Sequence, residues 1–134
     1  MFKQFPVETQ FNDVVSITDR VLEIVAESGV QNGTCIVYIP HSTASVTVTS
    51  PWDPRGFEDI QDEISRLIPT KVNFKHQHDT PQDAAGHVKS AIMGVSVSLI
   101  IDLGKLMLGS SQGIFFVEFD GPRKRQVYVK ISSD

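Results

Sequence analysis

From Val95 to Ile131 the chain keeps a period of two with few breaks, in "VSVSLII", "GIFFVEF" and "RKRQVYVKI". Such alternation places successive side chains on opposite faces of a sheet. The segments between, "DLG", the short strand "KLML" and the turn "DGP", are too brief for crossover connections, so these strands run antiparallel. That excludes a doubly wound parallel fold, in which strands alternate with helices throughout. Earlier in the chain, "FKQFPVETQF" alternates loosely as a first strand, and "GTCIVYIP" and "ASVTVT" add two more. Helical spacing interrupts them. "ITDRVLEIVAESG" repeats Ile17, Val21, Ile24, Val25 and Ser28, with Thr18 or Ser16 to cap its start and Gly29 to stop it. "SPWDPRGFEDIQDEISRLIP" is a second helix, with Asp53 as cap and Pro54 in the first turn. Phe57, Ile60, Ile64, Leu67 and Ile68 are expected to form its buried stripe. "DAAGHVKSAIMG" is a short helix that Gly94 closes. About seven strands and two or three helices make an α+β fold, a mostly antiparallel β-sandwich, in one domain over residues 1–134.

Charge narrows the function classes. Twelve basic residues against sixteen acidic ones give −4, the wrong sign for a broad phosphate-backbone binder, so no nucleic-acid partner is expected. There is one cysteine, Cys35, inside an apolar run. It is read as a small buried hydrophobe, and the lack of any intramolecular disulfide points to a reducing compartment. "MFKQFPVETQF" has no signal-peptide core, and no apolar run approaches the roughly 20 residues of a membrane span. A cytoplasmic protein without a membrane partner is expected. No G-x-G-x-x-G or Walker motif points to a nucleotide fold.

The chemistry concentrates in histidines. "HQHDTPQDAAGHVK" holds His76, His78 and His87, with Asp79 and Asp83 between them, and His41 stands upstream in "YIPHSTASVTV". His41 follows Pro40 at a strand end, beside the hydroxyls of Ser42 and Thr43. These could orient its imidazole or bind a phosphate oxygen, or all three could form a surface turn. His76 and His87 are a loop-plus-helix pair. They could bind a metal if a third ligand comes from elsewhere, His41 being the candidate, or they could be structural. In the run Arg123–Lys124–Arg125, strand alternation puts the arginines on one face, as an anion site or as a charged edge strand. "LGSSQGIFFVEFDGPR" sets Gly109, Gly113 and Gly121 beside Gln112 and Glu118. Its glycines would let backbone N–H groups approach an oxyanion. Glu118 is either on an outer face or a general base whose pKa burial raises.

"PHSTASVTV", Asp53–Pro54, "RLIP", "HVKSAIMG" and "GKLMLGSSQGIFFVEFDGPRKRQVYV" together resemble the YjbQ family over nearly the whole chain. The resemblance implies a compact α+β sandwich assembled as a homotrimer, with a pocket holding the family's histidines near a subunit boundary. It also implies a secondary thiamine-phosphate synthase activity, which joins a pyrimidine methyl diphosphate to a thiazole phosphate. His41 matches the histidine of the family's His-Thr-Thr stretch and Thr43 its second threonine. His76 matches the histidine after the aromatic–basic pair, here Phe74–Lys75, and His87 and Lys89 match the histidine and lysine of its Ala-His-Leu-Lys stretch. His78 matches no family position. Two departures stand out. The acidic Asn-Glu-Asn-like stretch before Asp-Pro is replaced by Thr49, Ser50, Pro51 and Trp52, and the tryptophan before Gln112 is replaced by Ser111. Trp52 is a candidate to refill the space left by that tryptophan.

The expected site therefore has His41, Thr43, His87 and Glu118 in catalysis. Lys89, Gln112 and Arg123 would bind a small phosphorylated or anionic molecule. His41, His76 and His87 would hold zinc or magnesium, zinc being the better match to three imidazoles. Three functions fit: a thiamine-phosphate synthase-like transferase, a metal-dependent hydrolase or lyase with Glu118 or Asp53 as base, and a non-catalytic trimeric module for metabolites or anions.

Overall fold

A computed structural model describes residues 1–76 and 79–134. His78, expected to be incidental loop polarity, lies outside the described residues. The strands are β1 (Phe2–Thr9), β2 (Val14–Ser16), β3 (Gly33–Tyr38), β4 (Ala44–Thr49), β5 (Ser96–Asp102), β6 (Lys105–Leu106), β7 (Gly113–Glu118) and β8 (Arg123–Ser133). The helices are α1 (Thr18–Ser28), α2 (Arg55–Leu67) and α3 (Pro81–Met93). The class is α+β. One sheet has five strands in the order β1-β8-β3-β5-β6, and the other has three in the order β2-β7-β4. Every pairing is antiparallel. Strand β2 and the split of "KLML" down to two paired residues are refinements of the sequence reading.

The core lies between the sheets. Phe5, Val7, Cys35, Val37, Val127, Val129 and Ile131 face it from the larger sheet, and Val46, Ile114 and Phe116 from the smaller one. Helix α1 closes the same core with Val21, Ile24 and Val25. Its N-cap position is Ile17, which offers no side-chain cap. Thr18 is used differently from the expected cap: its Oγ1 accepts from the Ile114 amide (2.9 Å) and donates to the Ile114 carbonyl (3.2 Å), pinning α1 to β7. Gly29 ends the helix at φ 67°, a left-handed turn that glycine adopts without a Cβ penalty.

Helices α2 and α3 lie on the far side of the three-stranded sheet. Strand β7 is therefore covered on both faces, and all six of its residues are buried. Phe115 meets Phe57 of α2 with ring centroids 4.6 Å apart. Helix α3 starts at Pro81, earlier than "DAAG", because Thr80 accepts a hydrogen bond from the Asp83 amide (3.0 Å) and Pro81 needs no donor partner in the first turn. Its Gly86 packs on β4's approach: a Cβ there would stand 3.2 Å from both the Thr43 Cβ and the Phe119 carbonyl oxygen.

The stripe expected to be buried on α2 is not. Phe57, Ile60, Ile64 and Ile68 are only partly covered and Leu67 is 64% exposed. The buried residue of that helix is Gln61, whose amide donates to the carbonyls of Glu118 (2.8 Å) and Asn12 (3.1 Å). Helix α2 is held by the Phe57 ring contact, by the Gln61 amide and by the Ser65 hydroxyl, which accepts from Lys89 Nζ (3.1 Å), while Leu67 at its end looks outward.

Strand alternation brings Glu118 of β7 and Arg125 of β8 to the inter-sheet side, where they meet. Arg125 Nε donates to Glu118 Oε1 (2.8 Å) and its Nη2 to Oε2, and the Thr9 hydroxyl and the Asp120 amide also donate to the same carboxylate. Arg125 further donates to Thr43 Oγ1 (2.8 Å). Removing one partner of such a pair leaves an uncompensated buried charge, which costs about 3–5 kcal/mol. Arg125→Met is therefore expected to lower the stability from urea denaturation by that amount, and adding Glu118→Gln to it should recover part of the loss.

Candidate functional site

Asp83 and His87 are four residues apart on α3, so they share one face of the helix. Thr80 and Pro81 fix where that helix begins, and His76 reaches the same face from the preceding loop. His87 Nε2 lies 3.3 Å from Asp83 Oδ2, and His76 Nε2 lies 3.5 Å from the same oxygen. The two imidazoles stand edge to face with centroids 4.7 Å apart. One ligand atom from each of the three residues falls within 4.8 Å of the others. A tetrahedral zinc site with bonds of about 2.0–2.1 Å spaces its ligand atoms roughly 3.3–3.5 Å apart. The two distances to Asp83 match that spacing, and the donor set, two imidazoles and a carboxylate, suits such an ion.

The third member of this group is thus Asp83, where the sequence reading had placed His41. His41 lies in the β3–β4 connection, and its Nε2 accepts a hydrogen bond from the Gln126 amide of β8 (2.9 Å). A nitrogen that accepts from an amide has its lone pair engaged, so Nδ1 carries the proton. Burial and the positive charge of Arg125 hold the His41 pKa below its ordinary 6.5, with the charge of Glu118 opposing them. With His87, Ser42 and Ser90 it lines a cleft of about 330 Å³. His87 therefore belongs both to the metal-type cluster and to this cleft.

The charges around the cluster are mostly acidic. Arg123 Nη2 contacts Asp120 (2.8 Å), Asp79 (3.6 Å) and Asp83 (4.0 Å). Gln82 donates to the other oxygen of Asp120 (3.1 Å). Arg123, expected to bind an anionic ligand, thus already faces three carboxylates of the chain itself.

The other expected site residues fall elsewhere. Lys89, two positions past His87, points away from the cluster. It is 4% exposed, its Nζ donates to Ser65 Oγ (3.1 Å) beside the Phe119 ring, and burial lowers its pKa. Glu118 has its carboxylate filled by Arg125, Thr9 and the Asp120 amide, leaving no side open for a general base. Thr43 is buried and serves Arg125. Gln112 folds back on its own turn, Oε1 accepting from the Gly109 amide (2.9 Å). It lies at the opposite end of β7 from Glu118. Asp53 is exposed and pairs with Arg55, which holds its carboxyl below the usual range. Cys35 is buried and its thiol is pushed up to about 11 by desolvation, as suits an inert core residue. The two departures from the family pattern meet one another: Trp52 Nε1 donates to Ser111 Oγ (3.3 Å).

Asp83 and Asp120 were not expected as site residues, although an acid and a histidine at i and i+4 stand in "DAAGH". Arg125, read with Arg123 as an anion site or a charged edge strand, instead pairs with Glu118, and β8 is not an edge but lies between β1 and β3.

The family model for the UPF0047 protein YjbQ-like family matches residues 3–134. The chain belongs to the YjbQ family. It is 40% identical over 134 residues to the UPF0047 protein MJ1081 of Methanocaldococcus jannaschii, covering 100% of this chain and 95% of the relative. It is 34% identical to the UPF0047 protein YugU of Bacillus subtilis, covering 98% of each. Among solved structures, a YbjQ-like protein of unknown function from Sulfolobus solfataricus P2 is similar with a TM-score of 0.94 at 32% identity, over 100% of this chain and 97% of that one. Among the described residues no helix is long and apolar enough to cross a membrane.

The lowered pKa of His41 gives a signed expectation. Below 6.5 the unfolded chain binds a proton that folded His41 still refuses, so this stability is present above 6.5 and is lost as the pH falls through the lower folded value. Between about pH 7.5 and about pH 5, the urea midpoint of the wild type should fall relative to that of His41→Gln. Parallel profiles would show that His41 is not held neutral.

Proposed function

We propose that this YjbQ-family chain is a metal-dependent enzyme acting on a small molecule, of the hydrolase or lyase type. His76, Asp83 and His87 hold a zinc-like divalent ion, and the cleft between His41 and His87 receives the substrate. The observation that carries this reading is the convergence of two imidazole nitrogens on one carboxylate oxygen, at 3.5 and 3.3 Å, with all three ligand atoms within 4.8 Å of one another. Two nitrogen ligands favour zinc or a neighbouring transition metal over magnesium, which prefers carboxylates and water. When bound, such an ion supplies Lewis acidity beside the cleft. The chain's own residues do the rest. Asp83 holds both histidines on one side, and neutral His41 offers Nδ1–H as a hydrogen-bond donor. Ser42 and Ser90 line the cleft with it, although the Ser90 hydroxyl is itself committed to the Ala44 carbonyl (2.7 Å).

The transferase reading implied by the family resemblance needs positive charge for a departing diphosphate. Arg123 is surrounded by three carboxylates and Lys89 is buried against Ser65, so neither is free for that role. That is why the hydrolase or lyase reading is preferred. A cytoplasmic site of action fits the single, buried Cys35. The exposed Leu67 at the end of the partly covered stripe of α2 supports self-association, and we extend the proposal to a homotrimer of the 14.8 kDa chain, as the family resemblance implies.

Protein purified without a histidine tag should carry close to one zinc or cobalt ion per chain by elemental analysis. His87→Ala and Asp83→Ala should each weaken cobalt binding by about 100-fold or more, and the affinity of the wild type should drop as pH is lowered, since protons compete for the imidazoles. His41→Ala should keep the ion. Less than a tenth of an equivalent in the wild type would sink the metal reading, and turnover of the two thiamine precursors by metal-free protein would favour the transferase. In sedimentation, Leu67→Asp should shift a trimer toward the single chain, and a wild type that already runs as a single chain contradicts the assembly.

A further inference from the structure

Between α2 and the turn that joins β1 to β2 lies a cavity of about 300 Å³, with Asn12 and Asp13 on the turn side and Glu58, Gln61 and Asp62 on the helix side. Gln61 is 6% exposed, and its Nε2 is pinned by two donated bonds, to the Glu118 carbonyl (2.8 Å) and the Asn12 carbonyl (3.1 Å). The amide cannot turn over without setting its oxygen against those two carbonyls, so Oε1 is held facing away from them. That oxygen is buried and, among the described residues, has no hydrogen-bond partner; the same is true of Oδ1 of Asn12. Buried acceptors in folded proteins are normally paired. Two of them on residues of one cavity wall call for a donor from outside the chain.

Charge points the same way. Glu58 and Asp62 are four residues apart on α2, a like-charge pair that a helix bears at a cost. Among the described residues neither they nor Asp13 form an ion pair. These carboxylates do not come together as ligands of one metal ion; among the described residues only His76, Asp83 and His87 do. Acceptors spread around a cavity suit instead an ammonium group, which has three N–H donors, a positive charge and no acceptor. Val14 and Phe57 supply apolar wall for a short alkyl body.

We propose that this cavity binds the primary ammonium group of a small alkylamine. Gln61 Oε1 and Asn12 Oδ1 accept from it, and Glu58 and Asp62 supply the opposing charge. Helix α2, held by few ties, can shift to admit the donor to the two oxygens. The site shares no residue with the histidine cluster, so it stands or falls independently of the metal reading.

The test is calorimetric titration of the full chain with butylammonium chloride, with the side-chain amide resonances of Gln61 followed by NMR. The wild type should bind a single equivalent with a Kd of about 1 mM or tighter, and those resonances should move. Tetramethylammonium chloride, equal in charge but without N–H donors, should not compete. Asn12→Gly keeps the carbonyl that Gln61 needs, adopts the φ of 56° without strain and loses only the orphaned oxygen. It should bind the amine about tenfold more weakly, and so should Asp62→Asn on the exposed side of the cavity. A purely structural role for these residues would leave the titration unmoved. If circular dichroism shows Asn12→Gly to be unfolded, Glu58→Gln takes its place beside Asp62→Asn. No saturable binding by about 10 mM amine, full competition by tetramethylammonium, or wild-type affinity in either folded variant overturns the proposal.

Discussion

The Glu118–Arg125 ion pair is the constraint around which the rest is arranged. The two side chains come from different sheets and meet between them, where an unpaired charge of either sign could not be sustained. Thr9 from β1, Thr43 from the start of β4 and the Asp120 amide complete the carboxylate and guanidinium shells. The pair therefore fixes the ends of four strands relative to one another. His41 is two residues before Thr43, and Asp120 and Arg123 are two residues from Glu118 and Arg125. The candidate site is built on the immediate neighbours of a buried electrostatic joint, and its geometry inherits the rigidity of that joint.

Most of the fold was legible in the sequence because its signals are local. The alternation in "RKRQVYVKI" named β8 and its inward row, and helical spacing with Gly29 and Gly94 bounded α1 and α3. The errors came where burial depends on distant partners. The stripe of α2 has the period of a buried face, yet its apolar residues are only partly covered and the fully buried side chain of the helix is Gln61, held by carbonyls of Glu118 and Asn12. Thr18 has the chemistry of a cap, but the backbone of β7 competes for its hydroxyl. Glu118 looked like either a surface acid or a base. Alternation could place it on a face but could not reveal that Arg125 occupied the opposite one.

The site was half legible for the same reason. His76 and His87 could be paired from sequence, and Asp83 lay in the open between them at helical spacing from His87. Its role was overlooked because His41 completed a more familiar set of three imidazoles. The structure gives His41 a different position, facing a cleft that it shares with His87. Asp79, Asp83 and Asp120 gather around Arg123, which offsets part of their charge, and the cleft beside them mixes His41, Ser42 and His87 with the apolar Ala91 and Val95.

The attachment of α2 has a kinetic consequence. Segments held by few contacts open locally at lower free energy than the core beneath them. For α2 one of the few ties is the Gln61 amide, which donates to the carbonyl of Glu118. Lifting the helix would wet the backbone of the very residue that anchors the two sheets. Gln61 thus links a helix on the outside of the molecule directly to the backbone of its most deeply buried charge.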